Sequence, residues 1–200
     1  MSETLPIAWL VRHGETDWSL TGRHTGLSDL PLTARGEESA RDLAGRLREI
    51  GPVRVYASPL KRAARTCALA GFGDVAVTDP DLVEWDYGEY EGLTSREIRA
   101  RQPGWALFRD GCPGGEALAG VGARADRVVQ RLRDGEGNAL VFSSGHFLRV
   151  LAARWLELEP AAGRFFRLST ASLSILGYEH QRSQPVIHLW NCTRHVCETQ

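Results

Sequence analysis

The chain has little cysteine, no long apolar run and almost no net charge, and each shortage excludes a class of protein. Four cysteines in 200 residues are too few for a disulfide-stapled scaffold, so we expect free thiols. No apolar run approaches the roughly 20 residues that a membrane-spanning helix needs. A net charge of −1 gives no field to attract nucleic acid or an anionic membrane surface. We therefore expect neither of these partners.

We also expect no signal peptide at the start of the chain. Its first residues, MSETLPIAWLV, include an acidic side chain where a signal peptide is basic, and their apolar part is short. There is no internal repeat, low-complexity linker or change of composition along the chain. The sequence predicts one domain over residues 1–200 and a cytoplasmic location.

Side chains of types that bind metals are concentrated near the C-terminus, where the segment IHLWNCTRHVC contains His188, Cys192, His195 and Cys197. Their spacing matches no common zinc pattern. We therefore predict no metal ion, and we interpret the four cysteines of the chain as free thiols: Cys67, Cys112, Cys192 and Cys197.

Apolar runs alternate with amphipathic segments along the chain, as in α/β proteins. Buried strands are predicted over Ile7–Val11, Val53–Ala57, Val75–Thr78, Ala139–Phe142, Ser172–Leu176 and Val186–Leu189. Helices are predicted over Arg35–Ile50, from Ser58 to about Ala70, and over Thr94–Arg101, Leu118–Arg133 and Phe147–Leu156. This alternation favours a three-layer α/β/α sandwich with a mostly parallel central sheet.

Residue types at three helix starts support these boundaries. Thr33 is placed to cap the helix that follows it, and Thr94 with Glu97 forms a capping-box pattern. Ser58 and Pro59 are suited to an N-cap and a first-turn proline. We therefore expect the chain to enter a helix directly after the second strand.

The first predicted strand ends in LVRHGETDW, which places two polar side chains at its carboxyl end. His13 lies beside the permanent cation of Arg12, and Gly14 lets the chain turn away at once. A histidine in this position would be kept neutral and so could be nucleophilic. The plainer interpretation is that both are surface residues that end a strand.

The second predicted strand ends in YASPLKRAART, with Arg62 near the first turn of the next helix. Arginines at neighbouring strand ends form a fork-shaped anion site that suits phosphate, and helix N-terminal amides would add to it. We expect Lys61 and Arg65 to face solvent instead.

A third candidate lies in LVEWDYGEYEGLTSREIR. Glu84 follows an apolar pair and precedes Trp85, so we expect partial desolvation. A carboxyl group in that setting can hold a proton near neutrality and act as a general acid. The other acids of this stretch are interpreted as solvated loop charges: Asp81, Asp86, Glu89 and Glu91.

The stretch VFSSGHFLR carries a strand into a tight turn and then a helix, which is where α/β proteins place chemistry. Either Ser144 or His146 could serve a substrate there, and the stretch by itself leaves the choice open.

Four blocks of sequence occur in a recognisable order over nearly the whole chain. They are LVRHGETDWSLTGRHTGLSDLPLTARG, SPLKRAART, EWDYGEYEGLT and GHFLR. Together they resemble the histidine phosphatase superfamily, whose members share the phosphoglycerate-mutase-like fold. The stretch EWDYGEYEGLTSREIR, followed by FRDGCPGGE, is similar to the branch of sedoheptulose-1,7-bisphosphatase and related bacterial acid phosphatases.

The resemblance implies roles for individual residues. His13 would be the nucleophile that becomes phosphohistidine, and Arg12 and Arg62 would hold the phosphoryl group. Glu84 would protonate the leaving alkoxide and then activate water. Phosphate or substrate contacts are implied for Ser19, Thr25, Gly26, Tyr87 and His146. The family uses no metal or cofactor, and two arginines can supply the charge that a metal would bring.

One position departs from the family pattern. The second catalytic histidine of the family begins the motif His-Gly-x-x-Leu-Arg, which here reads SGHFLR from Ser144 to Arg149. Ser144 occupies the place of that histidine, whereas His146 matches a position where many members have Asn or His. Either the site has adapted to serine or catalysis is weakened.

Three functions fit these observations. The first is a metal-independent phosphatase for a small phosphorylated metabolite such as a sugar bisphosphate. The second is a phosphoglycerate mutase, although Ser95 stands where its lysine would contact substrate. The third is a non-catalytic phospho-ligand binder, which only Ser144 supports. Four arginines are candidates for a second phosphate or else form a solvated face: Arg96, Arg99, Arg101 and Arg109.

Overall fold

A six-stranded sheet forms the centre of the protein in a computed structural model, which describes residues 5–48, 50 and 53–194. The strands are β1 (Ala8–Arg12), β2 (Val53–Ala57), β3 (Val77–Thr78), β4 (Asn138–Ser143), β5 (Leu173–Tyr178) and β6 (Pro185–Cys192). Their spatial order is β3-β2-β4-β1-β5-β6. The first four strands in this order are parallel, β5 runs antiparallel to β1, and β6 runs antiparallel to β5. The prediction of a mostly parallel sheet is confirmed.

Helices cover both faces of the sheet. They are α1 (Asp17–Thr21), α2 (Ala34–Leu47), α3 (Lys61–Leu69), α4 (Ser95–Arg101), α5 (Leu107–Asp110), α6 (Leu118–Asp134) and α7 (Gly145–Trp155). Short 3₁₀ turns occupy Pro80–Leu82, Gly88–Tyr90 and Pro160–Phe165. The short helices α1 and α5 were not predicted, since five or four residues carry no helical period.

The alternation of side chains along β4 explains the three layers. Leu140 and Phe142 belong to a core cluster shared with α2 and α3, whereas Ala139 and Val141 belong to a second cluster shared with α6 and α7. All four are fully or almost fully buried, as expected for a central parallel strand that is covered on both faces.

Two of the three predicted caps are confirmed. Thr33 accepts a hydrogen bond from the amide of Gly36 at 3.0 Å. Thr94 and Glu97 form the reciprocal capping box, with the Thr94 amide donating to Glu97 at 2.7 Å. The prediction for Ser58 is wrong, because α3 begins at Lys61 without a side-chain cap.

A residue remote in sequence replaces the predicted cap of α3. The backbone amide of Lys61 donates to Oδ1 of Asp29 at 2.7 Å. Because Asp29 lies in the loop between α1 and α2, the contact depends on tertiary structure and leaves no local sequence signal. It also takes one of the helix amides that we expected to face an anion.

The other predicted strands and helices are confirmed with shifted ends. Strand β3 is shortened to Val77–Thr78, and β6 extends to Cys192. Helix α2 ends at Leu47 rather than Ile50.

The described residues contain no cluster of three or more side chains that could hold a metal ion, although His195 and Cys197 lie outside them. Cys67, Cys112 and Cys192 are free thiols. No helix within the described ranges is long and apolar enough to cross a bilayer.

The loop after β1 packs directly on the start of α2, where two glycines allow the backbones to touch. A Cβ atom on Gly36 would lie 2.2 Å from the carbonyl oxygen of Glu15, and one on Gly14 would lie 2.4 Å from the carbonyl oxygen of Gly36. The amide of Thr33 also donates to the Glu15 carbonyl oxygen at 2.9 Å. Close packing of these backbones therefore sets the path of the chain beside His13.

We predict that Gly36→Ala lowers the free energy of unfolding by about 1–3 kcal/mol, because the added methyl group overpacks this contact. The control is Gly45→Ala in the same helix, where an added Cβ would meet nothing within 4 Å. That variant should raise the free energy by about 0.5–1 kcal/mol through helix propensity. Urea unfolding measures both values, and equal shifts would disprove the packing argument.

Candidate active site

A cavity of about 240 Å³ opens where the carboxyl ends of β1 and β4 meet at the centre of the sheet. Parallel sheets commonly bind ligands at this edge. The wall is formed by Arg12, His13, Ser19, Gly22, Arg23, His24, Thr25, Glu84, Tyr87, Ser95, Gly145, His146, Arg149 and Leu168. Seven of the ten residues predicted for the site therefore reach one cavity: Arg12, His13, Ser19, Thr25, Glu84, Tyr87 and His146.

His13 follows β1 directly and is buried, with 4% of its surface exposed. Its Nδ1 lies 2.7 Å from the carbonyl oxygen of Gly14. A carbonyl oxygen only accepts, so Nδ1 carries the proton of the neutral ring and Nε2 keeps its lone pair. Burial, and then the charges of Arg12 and Arg62, hold the pKa of His13 well below its ordinary value. The structure thus supports the expectation of a neutral histidine.

Arg12 brings a positive charge to the wall beside His13. Its Nη1 donates to the carbonyl oxygen of Leu168 at 2.6 Å, which fixes the guanidinium. Its Nε is enclosed and has no hydrogen-bond partner among the described residues. Burial lowers the pKa of Arg12, but an arginine remains charged at any working pH.

Arg62 lies behind the wall instead of on it. It is fully buried and donates to the carbonyl oxygens of Thr25, Gly26 and Ser28 at 3.1, 2.8 and 2.9 Å. The two arginines do not end neighbouring strands, because β4 lies between β1 and β2. The predicted placement of two arginines at neighbouring strand ends is therefore not present. Arg62 holds the loop and acts on His13 through its charge.

Gly26 also lies off the cavity wall. Its amide donates to the Glu91 carboxylate at 2.8 and 3.0 Å, so this amide is directed away from the cavity.

The interpretation of the four acids near Glu84 as solvated is correct only for Glu89, which is exposed. Glu91 anchors the loop, Asp86 accepts from the amide of Gly88, and Asp81 pairs with two arginines of α6.

Glu84 joins two segments of the site through its carboxylate. Its Oε1 accepts from the amides of Trp85 and Phe147 at 2.9 and 2.8 Å, and its Oε2 accepts from the amide of His146 at 2.9 Å. Glu84 therefore serves as the N-terminal cap of α7, where Ser144 makes no side-chain capping bond. With 4% of its surface exposed it is desolvated, as predicted.

Ser144 does not reach the cavity. It is fully buried, and its Oγ has no hydrogen-bond partner among the described residues. Gly145 and His146, which follow it, form the wall. His146 is therefore the polar side chain that this turn presents to a ligand.

Several wall residues were not predicted from the sequence, above all His24 and Arg149. Burial, and then the charge of Arg99, lowers the pKa of His24 to about 4. No periodic pattern distinguishes His24 within its loop. Arg149 could have been predicted as a wall residue, because it lies four residues after Gly145 and therefore on the same face of α7.

Comparison with known proteins now decides the family. The family model described as "Histidine phosphatase superfamily (branch 1)" matches residues 8–193. The chain belongs to this family. It is therefore a phosphatase of the histidine type, and the resemblance found in its sequence is confirmed.

Among similar members of the histidine phosphatase superfamily, some are named phosphatases and others probable phosphoglycerate mutases. An acid phosphatase of Mycobacterium tuberculosis is 44% identical over 176 residues, which cover 86% of each chain. A sedoheptulose 1,7-bisphosphatase of Saccharomyces cerevisiae is 35% identical over 190 residues, covering 79% of this chain and 70% of its own. A solved structure of an open reading frame product of M. tuberculosis superposes with a TM-score of 0.87 at 39% identity, covering 93% of this chain and 97% of its own.

We predict that Glu84→Gln slows hydrolysis of alkyl phosphates by about 10²–10³ and affects p-nitrophenyl phosphate far less. The reason is that p-nitrophenolate hardly needs a proton in order to leave, whereas an alkoxide does. Steady-state kcat on both substrates measures this difference.

The matched control is Glu89→Gln, which changes an exposed acid of the same segment. Thermal unfolding of both variants reports the loss of the α7 cap. Equal losses of kcat on the two substrates would show that Glu84 is only structural.

Proposed function

We propose that this protein hydrolyses a small phosphorylated metabolite without a metal ion, through a covalent phosphohistidine at His13. The observation that carries the proposal is the contact of His13 Nδ1 with the Gly14 carbonyl oxygen at 2.7 Å, which requires the proton on Nδ1. Nε2, which forms no hydrogen bond with a described residue, is then left with its lone pair at the cavity wall beside Arg12. A neutral imidazole of this tautomer is a nucleophile.

Two steps account for the reaction. Nε2 of His13 attacks phosphorus, the bond to the leaving oxygen breaks, and a proton carried by Glu84 goes to that oxygen. Water then attacks the phosphohistidine, Glu84 takes a proton from the water, and inorganic phosphate leaves with His13 neutral again. The guanidinium of Arg12 stabilises charge on the phosphoryl oxygens, and buried Arg62 adds its field from behind the loop.

The burial of Ser144 supports a reduced rate in this mechanism. A serine enclosed behind the wall offers no donor to the phosphoryl group. Losing one such donor typically costs about 10²–10³ in rate. We therefore propose that the pocket binds phosphate normally and turns substrate over slowly.

We predict that His13→Ala abolishes both turnover and acid-labile ³²P labelling of the protein, because no phosphohistidine can form. Exposed His180→Ala is the control and should retain both. Label that persists without His13 would overturn the proposed nucleophile.

We predict that Ser144→His raises kcat by about 10² with little change in phosphate affinity, because it restores a donor to the phosphoryl group.

A second cavity of about 260 Å³ supports a substrate with another anionic group. It shares His24, Ser95, His146 and Arg149 with the first cavity. Its wall adds Arg99 and Arg164 to Arg149, and none of these three forms an ion pair with an acid of the described residues.

Arg149 is the most buried of these three cations, and burial lowers its pKa. Its guanidinium lies 4.8 Å from the ring centroid of Phe108. Of the four arginines singled out in the sequence, Arg99 and Arg109 reach this cavity, and Arg109 pairs with Asp110. Cations without ion-pair partners favour a bound anion, so we propose a sugar bisphosphate or a similar metabolite with two anionic groups as substrate.

We predict that Arg164→Met raises KM for a sugar bisphosphate about tenfold and leaves KM for the matching monophosphate unchanged, because it removes one charge-assisted hydrogen bond. Arg149→Met should act in the same direction. Arg154→Met, which breaks a surface pair with Asp126, is the control on the same helix as Arg149. Equal changes of KM for both substrates would contradict the second anion site.

A further inference from the structure

The side chain of His146 lies between the two cavities and belongs to the wall of both. Its Nδ1 is 2.6 Å from the hydroxyl oxygen of Tyr87. Its Nε2 forms no hydrogen bond with any described residue, and it is not among the fully enclosed polar atoms. One nitrogen of the ring is therefore held by the protein while the other faces the cavities.

The proton positions in this pair follow from its surroundings. Burial raises the pKa of Tyr87 well above its ordinary value and lowers the pKa of His146 well below its own. The charged or titratable groups that act on His146 are Arg149, His24 and Arg12, and all three disfavour a charged imidazole. The phenol and the imidazole are therefore both neutral.

Only one arrangement of protons satisfies the phenol. Tyr87 is almost fully buried, and among the described residues its hydroxyl has no hydrogen-bond partner other than Nδ1 of His146. If Nδ1 donated instead, the buried O–H would lack an acceptor, which is costly. The phenol therefore donates to Nδ1, and the ring carries its proton on Nε2.

The position of the His146 ring is fixed from several sides. The backbone amide of His146 donates to Glu84, three residues before Tyr87, so one short segment holds both the backbone and the side chain. The rings of His24 and Phe108 lie 6.0 and 5.7 Å from the imidazole centroid. Nε2–H is thus a donor of constant direction.

We propose that His146 is a neutral hydrogen-bond donor to an acceptor oxygen of the phosphorylated substrate, and that Tyr87 is a positioning residue that sets its tautomer. The identity of the ligand rests on the proposed function, whereas the tautomer does not. The donor lies at the boundary between the cavity that contains His13 and the cavity proposed for the second anionic group. It therefore orients the ester without adding charge.

Nitrogen-15 NMR of the histidine-labelled protein without substrate tests the tautomer. We expect a protonated Nε2 and an unprotonated, hydrogen-bonded Nδ1 for His146 across pH 6–8, with the signal assigned by its loss in His146→Gln. Tyr87→Phe should produce a mixture of tautomers. The control is Tyr90→Phe, in the same segment as Tyr87, which removes a hydroxyl that donates to Gln102. It should leave the His146 signal unchanged.

Binding of inorganic phosphate and steady-state kinetics test the role. Tyr87→Phe should raise KM about three- to tenfold with a smaller change in kcat, as expected for one neutral hydrogen bond. The same substitution in a His146→Ala background should have no further effect on KM or on the phosphate Kd.

Two results would overturn the proposal: a protonated Nδ1 in the unmodified protein, or additive effects of the two substitutions. If the protein shows no turnover, the proposed function fails. The NMR result and the phosphate Kd still decide the inference about Tyr87 and His146.

Discussion

The carboxylate of Glu84 is the contact on which the geometry of the site depends. Three backbone amides donate to it, one from its own segment and two from the first turn of α7. The first amides of a helix need hydrogen-bond acceptors from outside the helix. Ser144 occupies the capping position of α7, but its side chain accepts no hydrogen bond from these amides. The carboxylate that we propose as the proton donor therefore also joins the loop after β3 to the helix after β4. Tyr87 then reaches His146 because this contact brings the two segments together.

The positively charged side chains of the site lie at different depths below the cavity surface. Arg62 is fully enclosed and bound to three loop carbonyl oxygens, so it shapes the loop and lowers the pKa of His13 without touching the cavity. Arg12 reaches the wall beside His13, and Arg149 extends the positive region toward the second cavity. Burial makes these charges effective, since little solvent screens them. The same burial keeps the imidazoles of His13 and His146 neutral.

Much of the fold and part of the site were predictable from local signals. The apolar run of β4 and the caps at Thr33 and Thr94 depend on neighbours in the chain, and they were confirmed. Two of the errors have the same cause. Ser58 was predicted to cap α3, but Asp29 accepts the hydrogen bond from its first amide. Glu91 was predicted to be solvated, but its carboxylate accepts a hydrogen bond from the amide of Gly26. In both cases a polar group met a partner about 30 to 65 residues away, which a local pattern does not contain.

The sequence by itself determined the order of the strands and longer helices along the chain, the family, and the placement of His13 at the end of β1, because periodicity, turn residues and motifs are local properties. Only the tertiary structure decided which side chains share a cavity. It placed Arg62 and Ser144 behind the wall and His146 on it, and it joined two cavities through a histidine held by Tyr87. The reason is that burial and hydrogen-bond partners arise when distant segments pack together, and they decide whether a charged or polar group faces a ligand or the protein.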